Sequence, residues 1–178
     1  MHGMKYRRWF NLVLLGAGLA AGCRKEAAAP PGPLENVNLS EPTEAQPKLP
    51  TIKLWLGAEQ MDAEMAVTFK EEETGMMFRK TMGENDGMIF ALPSTQQASF
   101  WMKNCYVPLS VAYIDTEGVI KEIHDLEPQN TNPVYSASAD IRFALETPQG
   151  WFGKHNVREG MTIRTERGSL METFFQGR

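Results

Sequence analysis

The chain has 178 residues, 22 of them acidic and 18 basic, so its formal net charge at pH 7 is −4. The first 22 residues hold three positive charges and no negative ones, and without them the net charge is −7. A chain this acidic is repelled by nucleic acid and by anionic lipid headgroups, so neither is an expected partner, and its length fits one domain with a tether.

The first predicted element is an export signal of the bacterial lipoprotein type. Basic residues precede an apolar run over residues 9–19, which is too short to span a bilayer as a helix. Small residues then lead to Cys23, which we expect to be lipidated and to anchor the mature chain to the membrane. We therefore predict a lipoprotein signal peptide over residues 1–22; a plain secretion signal and a retained membrane helix are the alternatives.

Two details of this region concern location. Residue 24 is Arg and not Asp, which by resemblance to Gram-negative sorting rules favours the outer membrane if the cell has one. The pair Arg7-Arg8 followed by Trp-Phe also resembles a loose twin-arginine export signal. We expect a cell-envelope protein on the periplasmic or extracytoplasmic side of its membrane.

Residues 23–50 are rich in Pro, Ala and Glu and contain almost no large apolar side chains. Such a segment cannot bury enough surface to offset the entropy of ordering it, so we predict a disordered tether. A folded domain is expected over residues 51–168, and residues 169–178 form a C-terminal tail.

The folded domain shows short alternating apolar patterns that are typical of strands. Thr68 and Glu71 have the spacing of a capping box, which predicts a helix over residues 69–77, and residues 150–155 suggest one more helical turn. Together these features favour a mainly β fold, a small sandwich or barrel-like antiparallel sheet of seven or eight strands. The predicted strands cover residues 52–56, 61–67, 87–92, 98–103, 109–114, 119–126, 141–146 and 161–165.

The middle of the chain carries a distinctive series of motifs. They include Thr74-Gly-Met-Met-Phe-Arg79, Gly87-Met-Ile-Phe90, Phe100-Trp-Met-Lys-Asn104 followed by Pro-Leu, Ala144-Leu-Glu146 and Gly150-Trp-Phe152. Over residues 52–168 the chain resembles domain-of-unknown-function family 192, which implies a compact β-rich domain, often exported and lipid-anchored, and implies no activity. Cys105 and Ser110 depart from that pattern, because the family usually has Thr at the first position and often Asp at the second.

The best candidate for a ligand site is the run Phe100-Trp-Met-Lys-Asn104. In a strand, Trp101 and Lys103 share one face with Cys105, and a Trp beside a Lys and an Asn suits a ligand pocket. Arg79 can add a fork for a carboxylate or phosphate. The structural alternative is that Arg79 and Lys103 pair with acidic side chains of the domain. The candidate ligand-binding residues are Arg79, Trp101, Lys103, Asn104, Asp115 and Glu146.

Two other chemistries have weaker support in the sequence. Thioethers bind Cu(I), although methionines also fill apolar cores. Cys105 with His124 and Asp125 or Asp115 is the Cys-His-Asp set that a nucleophilic enzyme needs. The candidate copper ligands are Met61, Met65, Met76, Met77, Met82 and Met88, with Cys105 and His124 as helpers.

The sequence therefore favours a membrane-anchored lipoprotein whose domain is a non-enzymatic binding module. The expected partner is a small molecule, a glycan fragment or another protein of the envelope, and we predict no cofactor, no resident metal and no catalytic residue. A hydrolase of an unrecognised type and a Cu(I) carrier are the alternatives.

Overall fold

The computed structural model describes residues 41–176. The predicted signal peptide, Cys23 and the first part of the predicted tether lie outside the described residues. In the described part of the chain, no helix has the length and apolar character that crossing a membrane requires.

Residues 41–176 form ten strands and three short helices, which confirms the mainly β fold class. The helices are α1 (Phe69–Thr74), α2 (Trp151–Lys154) and α3 (Leu170–Phe175). The strands are β1 (Thr51–Leu56), β2 (Glu59–Ala66), β3 (Asp86–Gln96), β4 (Ser99–Phe100), β5 (Leu109–Asp115), β6 (Ile120–Leu126), β7 (Val134–Tyr135), β8 (Ile141–Pro148), β9 (Ile163–Thr165) and β10 (Gly168–Ser169).

Eight of these strands form one sheet in the order β10-β9-β1-β2-β3-β8-β5-β6, and β4 pairs with β7 in a separate ribbon. The prediction of an antiparallel sheet is wrong for one pair of strands. Strands β2 and β3 are parallel, so the sheet is mixed. Parallel neighbours need a crossover connection. Here the crossover is residues 67–85, and it contains α1. A single bridge between Val119 and Thr162 brings the β6 and β9 ends together, but the sheet is not closed.

The crossover helix begins where the capping box predicts. The Thr68 hydroxyl accepts a hydrogen bond from the Glu71 backbone N–H, and the Glu71 carboxylate accepts one from the Thr68 N–H at 2.9 Å. The helix ends at Thr74, earlier than predicted, because Gly75 has a φ of 46° and turns the chain. The chain after Gly75 then runs across the face of the sheet.

Both faces of the sheet are buried, and β3 shows how. Ile89 and Ala91 belong to one apolar cluster, whereas Met88, Phe90 and Leu92 belong to the other, as the two-residue period of a strand requires. Helices α2 and α3 contribute side chains to the first cluster. The crossover contributes to the second cluster, and a cleft lies on that side of the sheet.

Segments at both ends of the described chain contact the sheet domain. The Gln46 side-chain amide donates to the Gly75 carbonyl at 2.9 Å, and the Leu49 N–H donates to Glu64 Oε2 at 2.7 Å. At the other end, α3 has its own capping box, and Phe174 is buried against the Phe143 ring. The ordered domain thus draws on residues before 51 and after 168.

Candidate functional site

A cleft of about 310 Å³ lies between the crossover and the sheet. Its size falls at the lower end of the range for small-molecule sites. The crossover, β3, the β4 region and β8 each supply part of its wall. Its acidic, aromatic and sulfur-containing lining side chains are Glu72, Glu73, Met76, Met77, Phe90, Phe100, Trp101, Cys105 and Glu146.

The carboxyl group of Glu146 is the most unusual group in this cleft. The alternation of β8 places Ala144 in the second cluster and Leu145 in the first, so Glu146 lies on the cleft side of the sheet. It is 4% exposed, and its Oε2 atom has no hydrogen-bond partner among the described residues. Burial raises the pKa of Glu146 to about 8, although the charge of Arg79 opposes the rise. Glu146 is therefore largely protonated at pH 7.

Arg79 leaves Glu146 without an ion pair because it binds another carboxylate. Its guanidinium holds Glu64 in a two-point contact, Nη1 to Oε1 at 2.5 Å and Nη2 to Oε2 at 2.8 Å. Burial raises the pKa of Glu64, but the hydrogen bonds from Arg79 and Leu49 outweigh it and the net pKa is lowered. Arg79, a predicted ligand-binding residue, thus lies outside the cleft wall and ties the crossover to β2.

The rim of the cleft is acidic. Burial and the neighbouring charge of Glu71 raise the pKa of Glu72 to about 7, against the opposing charge of Arg142. Glu73 lies beside it on α1. Among the described residues that line the cleft there are three carboxylic acids and no basic side chain.

The wall of the cleft is apolar and aromatic. The rings of Phe90 and Phe100 meet edge to face, with centroids 4.9 Å apart. Trp101 continues this wall to the surface, where it is 44% exposed. The crossover contributes the Met76 and Met77 side chains to the same apolar lining, which suits an apolar ligand body.

Trp101, Lys103 and Asn104 also line a smaller recess of about 90 Å³. Lys103 does not pair with Asp115 or Glu146; its Nζ lies 2.7 Å from Glu41 Oε1 and 5.3 Å from the centroid of the Trp101 ring. Asn104 has a φ of 59°, and its carbonyl accepts a hydrogen bond from the Phe78 N–H at 2.7 Å.

The predicted strand over residues 98–103 is wrong beyond Phe100. The strand β4 ends there, and a turn at residues 102–105 is closed by a hydrogen bond from the Cys105 N–H to the Met102 carbonyl. Because of this turn, Met102 and Cys105 are both buried in the second cluster, whereas Trp101 is exposed. The prediction that Trp101 and Cys105 lie on the same face of a strand is therefore wrong.

Asp115 has a local role at the turn between β5 and β6. Its Oδ1 atom accepts hydrogen bonds from the Glu117 and Val119 backbone N–H groups, both at 2.9 Å. Its cationic neighbour is Lys121, at 3.8 Å. Asp115 is not part of the cleft wall.

The nucleophile arrangement considered from the sequence does not form. Burial and the charge of Glu146 raise the pKa of the Cys105 thiol to about 12, so it is protonated at neutral pH. His124 Nε2 lies 3.0 Å from Glu122 Oε2. Cys105 therefore acts as a buried apolar side chain at the edge of the cleft.

The candidate copper ligands are divided between the two faces of the sheet. Met61 and Met65 pack in the first cluster, whereas Met76, Met77 and Met88 pack in the second, with Met82 against it. Over residues 41–176, no group of three His, Cys, Asp or Glu side chains is arranged to hold a metal ion.

Both the sequence and the fold are similar to those of known proteins. Residues 52–165 match the sequence profile of DUF192, a family described as an uncharacterized ACR. The chain belongs to the DUF192 family. No curated protein matches this DUF192 chain significantly.

Solved structures share the fold of this DUF192 domain. A protein of Sinorhizobium meliloti described as a candidate transcription regulator has 26% identity and a TM-score of 0.64, with 68% of this chain and 98% of that chain covered. A protein of unknown function from Novosphingobium aromaticivorans has 25% identity and a TM-score of 0.62, with 65% of this chain and 86% of that chain covered.

Of the six candidate ligand-binding residues, the structure brings Trp101 and Glu146 into the DUF192 cleft. The sequence predicted Trp101 but not the rim acid Glu72 or the Phe90 and Phe100 rings that complete the aromatic wall. The signal for Glu72 was its place in a run of three glutamates beside the predicted cap. Glu146 is recognisable in the sequence because it is an acidic residue in the apolar part of a strand. The alternation of that strand places it on a buried face.

Proposed function

We propose that this DUF192 domain is a non-enzymatic module that binds a small molecule in the cleft above Glu146. The single observation that carries the proposal is the buried Glu146 carboxyl, whose Oε2 atom lacks a hydrogen-bond partner within residues 41–176. Buried polar groups are rarely left unsatisfied, and a ligand that bonds to this oxygen supplies what the fold does not.

The surroundings of Glu146 support a small ligand over a large partner. The cleft has a defined volume, an aromatic wall and a half-exposed Trp101 at its mouth. Small-molecule sites have this composition, a mostly apolar lining with a few polar groups that fix orientation. The protonated carboxyl of Glu146 can both donate and accept a hydrogen bond.

The test is native mass spectrometry of the full chain, purified from its own cell envelope without chelators. We expect a co-purifying organic mass of a few hundred daltons. Trp101→Ala removes part of the mouth of the cleft, and we expect it to weaken ligand retention at least about tenfold, in line with the large contact area of a Trp side chain. The domain should stay folded, because Trp101 is 44% exposed.

Tyr135→Ala is the matched control for this substitution. Tyr135 is another exposed aromatic side chain, at 58%, and it does not line the cleft. The proposal is wrong if both variants retain ligand like the wild type, if the chain carries no organic mass, or if copper is found in its place.

We further propose that the protein is a lipoprotein of the cell envelope, anchored through Cys23 and placed in the outer membrane if the cell has one. The support is in the sequence, where a basic start, a short apolar run and small residues precede Cys23. Cys23→Ala should move the protein from the membrane fraction to the soluble fraction of the envelope. Cys105→Ala is the control that should leave fractionation unchanged, and retention of the Cys23 variant in washed membranes would reject the anchor.

A further inference from the structure

We propose that the ligand of this cleft is a small organic cation, an ammonium group carried on an apolar or aromatic body, with the ammonium bound at Glu146. The inference rests on the proposed function, because it names the ligand class for the same cleft. It follows from the charge, the unpartnered oxygen and the wall chemistry of the site.

The charge of the cleft excludes anions. Within the described residues, the lining holds Glu72, Glu73 and Glu146 and no Lys, Arg or His. Three cations lie near the cleft without lining it. Arg79 pairs with Glu64 and Lys103 pairs with Glu41. Arg142, whose charge acts on Glu72, lies over the Phe175 ring at 3.8 Å from its centroid. A carboxylate or phosphate ligand would therefore meet acidic side chains and no basic fork to bind it. A cation gains from the ionised rim acids, and from Glu146 once that carboxyl has released its proton.

The unpartnered oxygen of Glu146 supplies the contact point. A buried carboxyl is stable when it is neutral or when a cation pairs with it. Arg79 lies close enough for its charge to act on Glu146, but its Nη1 and Nη2 groups donate to Glu64 in a two-point contact. An ammonium ion entering the cleft would supply the missing partner of Glu146 without disturbing that pair.

The wall chemistry supports the same ligand class. Phe90, Phe100 and Trp101 all line the cleft, and the faces of aromatic rings attract cations while their area covers apolar ligand surface. Met76 and Met77 add polarizable side chains to the lining. A neutral ligand that only hydrogen-bonds to a protonated Glu146 would use the wall but would gain nothing from the acidic rim.

The experiment uses three probes of nearly one shape, 2-phenylethylamine, 2-phenylethanol and phenylacetate, titrated calorimetrically into the full chain at pH 7. We expect the amine to bind at least about tenfold more tightly than the alcohol, which is the size of a desolvated cation–π or ion-pair contribution. Phenylacetate should not bind. In Glu146→Gln the affinity for the amine should fall most of the way to that of the alcohol, with the acidic rim and the aromatic wall supplying the small preference that remains, and the affinity for the alcohol should stay the same.

A second readout is the number of protons released when the amine binds to the wild-type chain. When the ammonium ion pairs with Glu146, the protonated carboxyl gives its proton to the buffer and the ammonium keeps its own, so binding near pH 7 should release protons, up to one per site. The heat of binding then depends on the ionisation enthalpy of the buffer. The other titratable or charged groups that act on Glu146, or that it acts on, are Arg79, Cys105 and Tyr113. Glu72→Gln separates the contribution of the rim acid from that of Glu146.

Each result decides between the two proposals. If the alcohol binds as tightly as the amine, or if Glu146→Gln keeps full amine selectivity, the cation inference is wrong while the binding module stands. Tightest binding of phenylacetate rejects the charge argument. If none of the three probes binds, the cation inference is rejected, and a chain that also carries no organic mass by native mass spectrometry removes the proposed function as well.

Discussion

Replacing Arg79 with Met should lower the free energy of unfolding by about 3 kcal/mol, the cost typical of breaking a buried ion pair from one side. The substitution leaves Glu64, which is 7% exposed, without its two-point partner. The Leu49 N–H would remain its hydrogen-bond donor within the described chain. Urea unfolding at pH 7 measures the change through the midpoint and slope of the transition.

Two further variants make this prediction specific. The double variant Glu64→Gln with Arg79→Met removes both charges, so it should regain much of the loss. Lys53→Met is the matched control, because Lys53 and Asp62 form an exposed pair at 3.5 Å on the neighbouring strands β1 and β2. That control should change stability by less than about 1 kcal/mol. Equal unfolding midpoints for the Arg79 variant and the wild type would contradict the structural role of the pair.

Glu146→Gln should make the domain more stable relative to the wild type as the pH rises from about 4.5 to about 8. Burial raises the folded-state pKa of Glu146, so in this range the folded state holds a proton that the unfolded state has lost. The stability that this proton contributes is present below the unfolded pKa and is lost as the pH approaches the folded pKa. Through Glu146, the unfolding free energy of the wild type falls by at most about 1.4 kcal/mol per pH unit. A glutamine at this position does not titrate, so the variant lacks this pH dependence.

The measurement is the unfolding free energy of both proteins at several pH values, with Glu122→Gln as the control of opposite sign. Burial raises the pKa of Glu122, but the Ala137 and Ser138 N–H groups and His124 bring it below the ordinary value. Its contribution is therefore lost on acidification through its folded pKa, below the range that Glu146 affects. If the difference in unfolding free energy between Glu146→Gln and the wild type stays constant from pH 4.5 to 8, the pKa of Glu146 is not raised in the folded state and the prediction is wrong.

The central strands and the first helix were predictable because their signals are local. Alternation over β3 and β5 assigns side chains to two faces, and the Thr68–Glu71 capping box fixes the start of α1. The parallel pairing of β2 and β3 was not predictable in this way, because strand direction depends on the path of the crossover. The turn after Phe100 was missed because the apolar pattern continues through Met102 to Cys105 although the backbone does not remain extended.

The candidate site depends on which charges pair across the fold. The sequence shows Arg79, Glu64 and Glu146 but not that Arg79 binds the first acid and leaves the second without a partner. The pairing of Arg79 with Glu64 depends on the tertiary structure, which brings the crossover next to β2. Likewise, the pairing of Lys103 with Glu41 joins residues far apart in the chain, so no local pattern encodes it.

The position of β1 in the sheet has a consequence for how this domain is synthesised. One edge of β1 pairs with β2, which follows it directly in the chain, but its other edge pairs with β9. Leu56 therefore cannot pair with Ile163 until the ribosome has synthesised more than a hundred further residues. Until then the nascent chain presents an open strand edge, which is a hazard for intermolecular pairing. Such non-local pairing also slows folding, so we expect the domain to fold after its chain is complete and not progressively during synthesis.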